Sequence, residues 1–387
     1  MNRRNLLAGA AALALSTGAA LADGTYKIGV VLPLTGGQST VGKQVENAIK
    51  LYMAQNGAKA GGKTVEIIVK DDASTPDVTK RLAQEMLVND KVNMIAGFGI
   101  TPSALAAAPL ATQAKVPMVV MAAGTAIITE ASPFIVRTSF TLPQVTVPIA
   151  DWASANKIKK VVTLVADYGP GIDAEKAFKE RFTKAGGEVV AELRSPVRSP
   201  DFSPFLQKVK DLAPDAVFVF VPSGQGAAIM KQAAERELDK KVQIIATGDV
   251  TDDDQLKDMG DSVLGMITSG SYSAAHPSPE NKAFVEAFIK QSGGRPNFMG
   301  VGGYDGMKLI YAALEKTKGG EDGAAMVEAM KGMSWMSPRG PISIDPQTRD
   351  IIQNMYLRKV EKVNGENYNV EFQTIEAVKD PVKEAKT

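Results

Sequence analysis

Short apolar runs alternate with stretches of helical periodicity along this chain, and the alternation breaks once and starts again. The run at 27–32 stops at Pro33, and 64–70, 94–96 and 118–121 follow it, separated by helical patterns over about 42–55, 77–89 and 103–114. Strands that each need a helix to bring the chain back to the same end form βαβ units. Their product is a parallel sheet with helices on both faces. The rhythm resumes at 160–166 and continues at 188–193, 216–221 and 243–246. Two doubly wound α/β units joined near 139–148 are therefore expected. A closed barrel of eight evenly spaced units does not fit the break at Phe140-Thr141-Leu142-Pro143. The 387 residues are enough for two or three such cores.

The first 22 residues have a different character. Arg3 and Arg4 form a positive start, 6–15 is an apolar core, and Ala20-Leu21-Ala22 is an A-x-A pattern before Asp23. That is the pattern of a secretory signal peptide cleaved after Ala22, with an apolar stretch too short to span a bilayer. Arg3-Arg4-Asn5-Leu6-Leu7 departs from the twin-arginine consensus, which leaves the ordinary secretory route. The absence of Cys at the cleavage site excludes a lipid anchor. The mature chain, with 42 basic and 43 acidic residues, is expected to be periplasmic.

The composition removes most chemistry. There is no Cys, hence no disulfide, thiolate nucleophile or Cys-ligated metal, and a single His leaves no His-rich metal site. Balanced charge without a long basic run excludes nucleic acid as partner. No cofactor and no metal are expected. The G-x-S-x-G turn of a serine nucleophile is absent, and Ser271 after Gly270 has the wrong residue behind it.

Several motifs have structural readings. Residues 57–64 match the phosphate-loop pattern GxxxxGK[ST], but a helix precedes and a strand follows them, the reverse of what phosphate binding needs, so a helix end and turn are expected. Asp252-Asp253-Asp254 lacks the spacing of a calcium loop and is expected to cap the helix beginning near Gln255. His276 in a Pro-rich loop, Gln44, Glu46 and the tail 378–387 are expected as solvated surface. Phe298, Met299 and Tyr304 are expected in the core or at the rim of a site.

The informative positions are the strand-to-helix turns, because open α/β sheets bind ligands beyond the C-terminal ends of their strands. Gly97-Phe-Gly-Ile-Thr101-Pro-Ser103, Met121-Ala-Ala-Gly124-Thr125, Ala166-Asp167-Tyr168-Gly169 and Thr247-Gly248-Asp249 all fall there. Small residues let a ligand reach the main chain, and hydroxyls beside free helix-start amides suit a carboxylate.

The ordered set Gly-Val-Val-Leu-Pro-Leu-Thr-Gly (29–36), Val-Lys-Asp-Asp-Ala (69–73), Ile-Ala-Gly-Phe-Gly (95–99), Ala-Ala-Gly-Thr (122–125) and Asp-Tyr-Gly-Pro-Gly (167–171) resembles the leucine/isoleucine/valine-binding family. These are the type I periplasmic solute-binding proteins of ABC importers. The resemblance covers the whole mature chain. It implies two Rossmann-like doubly wound lobes joined by a three-strand hinge, lobe 1 at 24–142 and 272–348, lobe 2 at 143–271 and 349–387. Ligand would sit between the lobes, which close on it and dock on the membrane permease. The resemblance assigns Thr101 to the ligand carboxylate, with Ser103 beside it. It assigns Ala123 to the ligand ammonium through a main-chain carbonyl, Thr125 to the carboxylate and Tyr168 to the lid.

Departures bear on the ligand. Val41 stands where branched-chain binders place an aromatic wall, and Ser223 stands near a second tyrosine position. Gly248 aligns with the acidic partner of the ammonium, one residue before Asp249; a one-residue slip would let Asp249 keep that role, and a true loss would leave the ammonium unpaired. An ammonium left unpaired in a closed cleft is costly, so amine-free keto or aromatic acids are expected alongside amino acids. The implied function is capture of a small carboxylate by a monomer that serves a permease. A ligand-sensing subunit of a receptor is the alternative, and an enzyme is disfavoured.

Overall fold

The computed structural model describes residues 24–198, 200–238 and 241–386; the expected signal peptide lies outside them. The first sheet has six strands: β1 (Thr25–Leu32), β2 (Lys59–Ala60), β3 (Lys63–Asp71), β4 (Met94–Gly97), β5 (Met118–Val120) and β6 (Ile135–Arg137). They lie in the order β2-β3-β1-β4-β5-β6, with every pairing parallel except the small β2–β3 hairpin. β1 sits centrally between β3 and β4, and its Ile28–Leu32 stretch is fully covered by helices, which is why it reads as an unbroken apolar run.

The second sheet has nine strands. β7 (Lys160–Ala166), β8 (Glu188–Ser195), β9 (Ala216–Phe220), β10 (Gln243–Thr247) and β11 (Ile267–Gly270) repeat the parallel winding of the first sheet. β12 (Ser334–Ser337), β13 (Gly340–Ile344), β14 (Ile351–Val363) and β15 (Glu366–Val378) then add antiparallel strands beside β11. Asn364 and Gly365, both at positive φ, make the two-residue turn between β14 and β15, the turn whose twist suits a hairpin.

The chain passes between the two halves at 138–141, 271–278 and 331–333. Helices Pro279–Ser292 and Phe298–Thr317 pack on helix Ser39–Asn56, and helix Gly323–Met330 packs on β6, so this stretch belongs with the first sheet. β12 pairs with β13 and β13 with β14, so 334–344, expected with the first unit, lie in the second sheet, because the short 345–350 connection returns β14 antiparallel to β13. Where the halves meet, Arg339 is fully buried. Its guanidinium donates to Asp305 Oδ2 (2.9 and 2.6 Å), to the carbonyls of Thr138 (2.7 Å) and Ser139 (3.0 Å), and to Gln353 (2.9 Å).

Other expectations change on packing. The 57–64 motif is the helix end and turn expected, with Gly57, Gly61 and Gly62 at positive φ. Gln44 is buried instead of solvated and donates to the Arg295 carbonyl at 3.0 Å. His276 is largely covered, with Nδ1 2.8 Å from Glu371 and its ring against Tyr356. Most of the described tail is exposed as expected, but Asp380 and Lys383 are buried, and Lys383 pairs with Asp350 and Thr129. Among the described residues, no helix is long and apolar enough to cross a membrane.

Candidate functional site

The C-terminal strand ends of the two sheets face each other, and between them lies a small cavity. From the first half come Gln38 and Val41, the turn 99–101 after β4, and 122–124 after β5. The second half supplies Tyr168 and Pro170 after β7, Phe220 at the end of β9 with Pro222 and Ser223 after it, and Asp249 after β10. Phe140 and Leu142 from the connecting segment and Met299 complete the wall. The cavity shares Gln38, Ile100 and Tyr168 with a wider groove on its outer side.

One pole is built from hydroxyls and helix starts. Thr101 is the first residue of helix Thr101–Ala114, and its Oγ1 lies 2.7 Å from that of Thr125, both side chains being buried. Opposite them, Gly169 opens helix Gly169–Lys184. A Cβ there would come within 3.1 Å of Thr125 Oγ1, so glycine permits the lobes to meet at this point. Nearby, the Asp173 carboxylate accepts from the Ala126 amide across the interface at 2.8 Å. Hydroxyls and free amides at a helix N-terminus favour an anion.

The loop behind this pole is held by Arg137, fully buried beneath it. Arg137 pairs with Asp350 at 2.8 Å and donates to the carbonyls of Thr125 (2.8 Å), Ala126 (3.2 Å) and Ala123 (3.4 Å). Ser139 Oγ also donates to the Ala123 carbonyl, at 3.0 Å. Ala123 thus lines the cavity with its carbonyl already engaged twice.

The opposite pole is acidic and buried. Asp249 Oδ2 accepts from Thr247 Oγ1 at 3.0 Å, and Oδ1 accepts a long bond from Ser223 Oγ at 3.5 Å. Burial pushes the Asp249 carboxyl up to about 6, against the opposing pull of those hydroxyls and Arg358. Gly248 and Gly270 leave room for the Arg358 guanidinium, which a Cβ at 248 would approach to 2.6 Å. The walls between the poles are apolar, and Tyr168 stacks on Phe220 with ring centroids 6.2 Å apart.

The structure therefore brings Val41, Thr101, Ala123, Tyr168, Ser223 and Asp249 to one cavity, with Thr125 directly behind Thr101. Ser103 is not brought there: its hydroxyl sits 2.6 Å from Thr79 Oγ1 and donates to Asp72 Oδ2 at 3.1 Å, inside the first half. Phe140, Leu142 and Phe220 are wall residues that the turn-based reading misses. The available signal was an aromatic closing strand β9 and apolar residues flanking Pro143 in the connecting segment. The acidic run does not cap by side chain as expected. Asp252 is the residue before helix Asp253–Leu256 but makes no side-chain cap, and both its oxygens are buried without a partner. Burial, with Asp254 and Asp249 close by, raises its carboxyl. Met299 reaches the cavity, whereas Tyr304 donates to Gln55 at 2.6 Å and packs on Tyr52. Among the described residues, no cluster of His, Asp and Glu side chains is placed to hold a metal ion.

A family model described as periplasmic binding protein matches residues 25–366. Over 377 residues the chain is 46% identical to the Leu/Ile/Val-binding protein homolog 6 of Brucella abortus (strain 2308), covering 96% of each. Among solved structures it is similar to the solute-binding protein of an ABC transporter from Rhodopseudomonas palustris BisB5 in complex with 3,4-dihydroxy benzoic acid. That pair is 64% identical with a TM-score of 0.92, over 93% of this chain and 99% of the other. A solute-binding protein of an ABC transporter from R. palustris in complex with 4-hydroxybenzoate is 43% identical with a TM-score of 0.89, over 92% and 99%. With nearly its whole length matched, this chain belongs to the periplasmic binding protein family, as a type I solute-binding protein of the leucine/isoleucine/valine-binding group that serves ABC transporters and not as an enzyme.

Proposed function

We propose that the cavity captures an amine-free aromatic carboxylate of the hydroxybenzoate class and delivers it to the membrane permease of an ABC importer. The observation that carries this reading is the Ala123 carbonyl. An α-ammonium needs acceptors at the carboxylate pole, and this one is taken by Ser139 and by the Arg137 cation. A second cation brought there would be unpaired and repelled. A carboxylate alone has what it needs in Thr101, Thr125 and the helix-start amides. An aromatic ring fits between Val41, Phe140, Leu142, Tyr168 and Phe220, where burial and ring-edge contacts favour it. Relatives in complex with 3,4-dihydroxy benzoic acid and 4-hydroxybenzoate support the same class.

On this reading the lobes are 24–141 with helices 279–330 against 142–278 with 334–386, closing about the connecting segments. One chain supplies both walls, so a monomer suffices. Asp249 inside the cavity favours a second reading, an amino acid whose ammonium turns to that pole. Isothermal titration of the mature protein decides between them. Benzoate, 4-hydroxybenzoate and 3,4-dihydroxybenzoate are expected to bind, while leucine, isoleucine and valine are not. Tighter binding of leucine than of any benzoate would overturn the proposal.

A further inference from the structure

Behind Asp249 the cavity wall gives onto a second, smaller space. Its lining is Phe140, Val145, Gly248, Asp249, Gly270, Ser271 and Phe298, and it has room for about one water-sized group. Phe140 and Asp249 belong to both. The walls are otherwise apolar: Phe140 packs edge-on against Phe298 at 5.2 Å, and Gly248 and Gly270 contribute no side chain. In this apolar annex the Ser271 hydroxyl is 2% exposed and has no hydrogen-bond partner. A buried hydroxyl without a partner is costly to keep. Ser269 and Tyr272 beside it are as deeply buried and their hydroxyls likewise lack a partner, but of the three only Ser271 lines the annex.

Asp249 has acceptor capacity to spare. Its two oxygens receive one good bond, from Thr247, and one long one, from Ser223. Asp249 lines both spaces and Ser271 lines the annex, so two adjacent polar groups on one ring could meet one each.

Resting on the hydroxybenzoate reading, we infer that Asp249 and Ser271 form a subsite for a vicinal pair of ring hydroxyls, making catechol carboxylates the preferred ligands. One hydroxyl donates to Asp249 from the main cavity. Its neighbour enters the annex and pairs with Ser271 Oγ, which both donates and accepts. Benzoates with a single hydroxyl leave Ser271 unpartnered. The high pKa of Asp249 fits this role, since an acceptor held in a low-dielectric wall gains most from a donor that arrives with the ligand.

The test is titration of wild type and Ser271→Ala with benzoate, 4-hydroxybenzoate and 3,4-dihydroxybenzoate, alongside the thermal midpoint of each ligand-free protein. Wild type is expected to bind the dihydroxy acid about five- to tenfold more tightly than the monohydroxy acid, one neutral hydrogen bond's worth. Ser271→Ala is expected to abolish that preference, to leave 4-hydroxybenzoate and benzoate unchanged, and to keep or raise the ligand-free midpoint. An equal loss for all three acids, a lowered midpoint, or a preference that survives the substitution would overturn the subsite. Should the alanine variant not fold, Ser271→Cys, which keeps the volume and weakens the hydrogen bond, serves for the same comparison. If no benzoate binds wild type at all, the hydroxybenzoate reading itself has failed, which is distinct from benzoates binding without the dihydroxy preference.

Discussion

Thr101 and Ser103 sit two residues apart on one helix start and do different work. Thr101 turns to the cavity and Thr125, while Ser103 turns inward to Asp72 and Thr79. Thr101→Ala is expected to weaken carboxylate binding by ~1.5–3 kcal/mol, roughly tenfold or more, with little change in stability. Ser103→Ala is expected to lower stability by about 1–2 kcal/mol through the weakened support of Asp72, and to leave affinity alone. Titration and chemical denaturation of both variants separate the two roles. Asp249 adds a pH dependence. Its carboxyl titrates near 3.8 when unfolded and about 6 when folded, so the folded state holds a proton that the unfolded state has released. Stability is therefore fully present below 3.8, falls as pH rises towards 6, and stays reduced above it. Asp249→Asn is expected to make the ligand-free protein more stable at pH 7 by on the order of 2–3 kcal/mol and little different at pH 4. Affinity for hydroxybenzoates should fall in that variant. Denaturation at the two pH values checks the sign; a variant less stable at pH 7 refutes it. At this scale the strand-end rule made Thr101, Ala123, Tyr168 and Asp249 legible, because chain position alone puts them at the cleft. It could not separate Thr101 from Ser103, since which way a hydroxyl points depends on the partner that packs beside it.

Among the elements, the helix beginning at Gly169 governs how closely the halves approach. A Cβ at 169 would meet Thr125 Oγ1 at 3.1 Å and Thr101 Cγ2 at 3.6 Å. Gly169→Val puts its methyl groups against the Thr125 hydroxyl and the Thr101 methyl, where the proposed ligand's carboxylate would sit. It is expected to weaken binding at least tenfold while the ligand-free thermal midpoint barely moves; a variant of wild-type affinity would remove Gly169 from the contact. The alternating elements were readable because period and length both mark them: the apolar run at 160–166 is β7. The antiparallel additions were harder. β12 and β13 are short strands, the first largely exposed, and their place in the second sheet rests on pairings with residues the local pattern does not include. Asn364-Gly365 does carry a hairpin signal of its own. Lys383 and Gln44 look like surface residues in sequence and are buried here, because each reaches a specific acceptor in another element.

At the level of the whole molecule, closure is held by contacts outside the cavity. Asp173 in the second half caps the Ala126 amide in the first, and Asn297 Nδ2 donates to Asp254 across the same interface at 3.1 Å. A ligand stabilises the closed arrangement together with such latches, so removing one lowers the apparent affinity without touching the ligand. Asp173→Ala is expected to weaken binding about three- to tenfold, mainly through faster release. Stopped-flow dissociation measures this, and an unchanged off-rate would mean that the contact does not hold the lobes.

Length, strand–helix alternation and the small-residue turns determined, from the sequence alone, an α/β chain of two similar wound units with its strand-end turns gathered between them. Those properties follow from local periodicity and from chain topology, which neighbours in sequence specify. The tertiary structure decided what the ligand meets there. The engagement of the Ala123 carbonyl by Arg137 and Ser139, the burial of Asp249, and the annex at Ser271 each depend on residues distant in sequence that converge where the lobes meet. Their effect is electrostatic and steric, set by distance and burial, and neither is written in the order of residues.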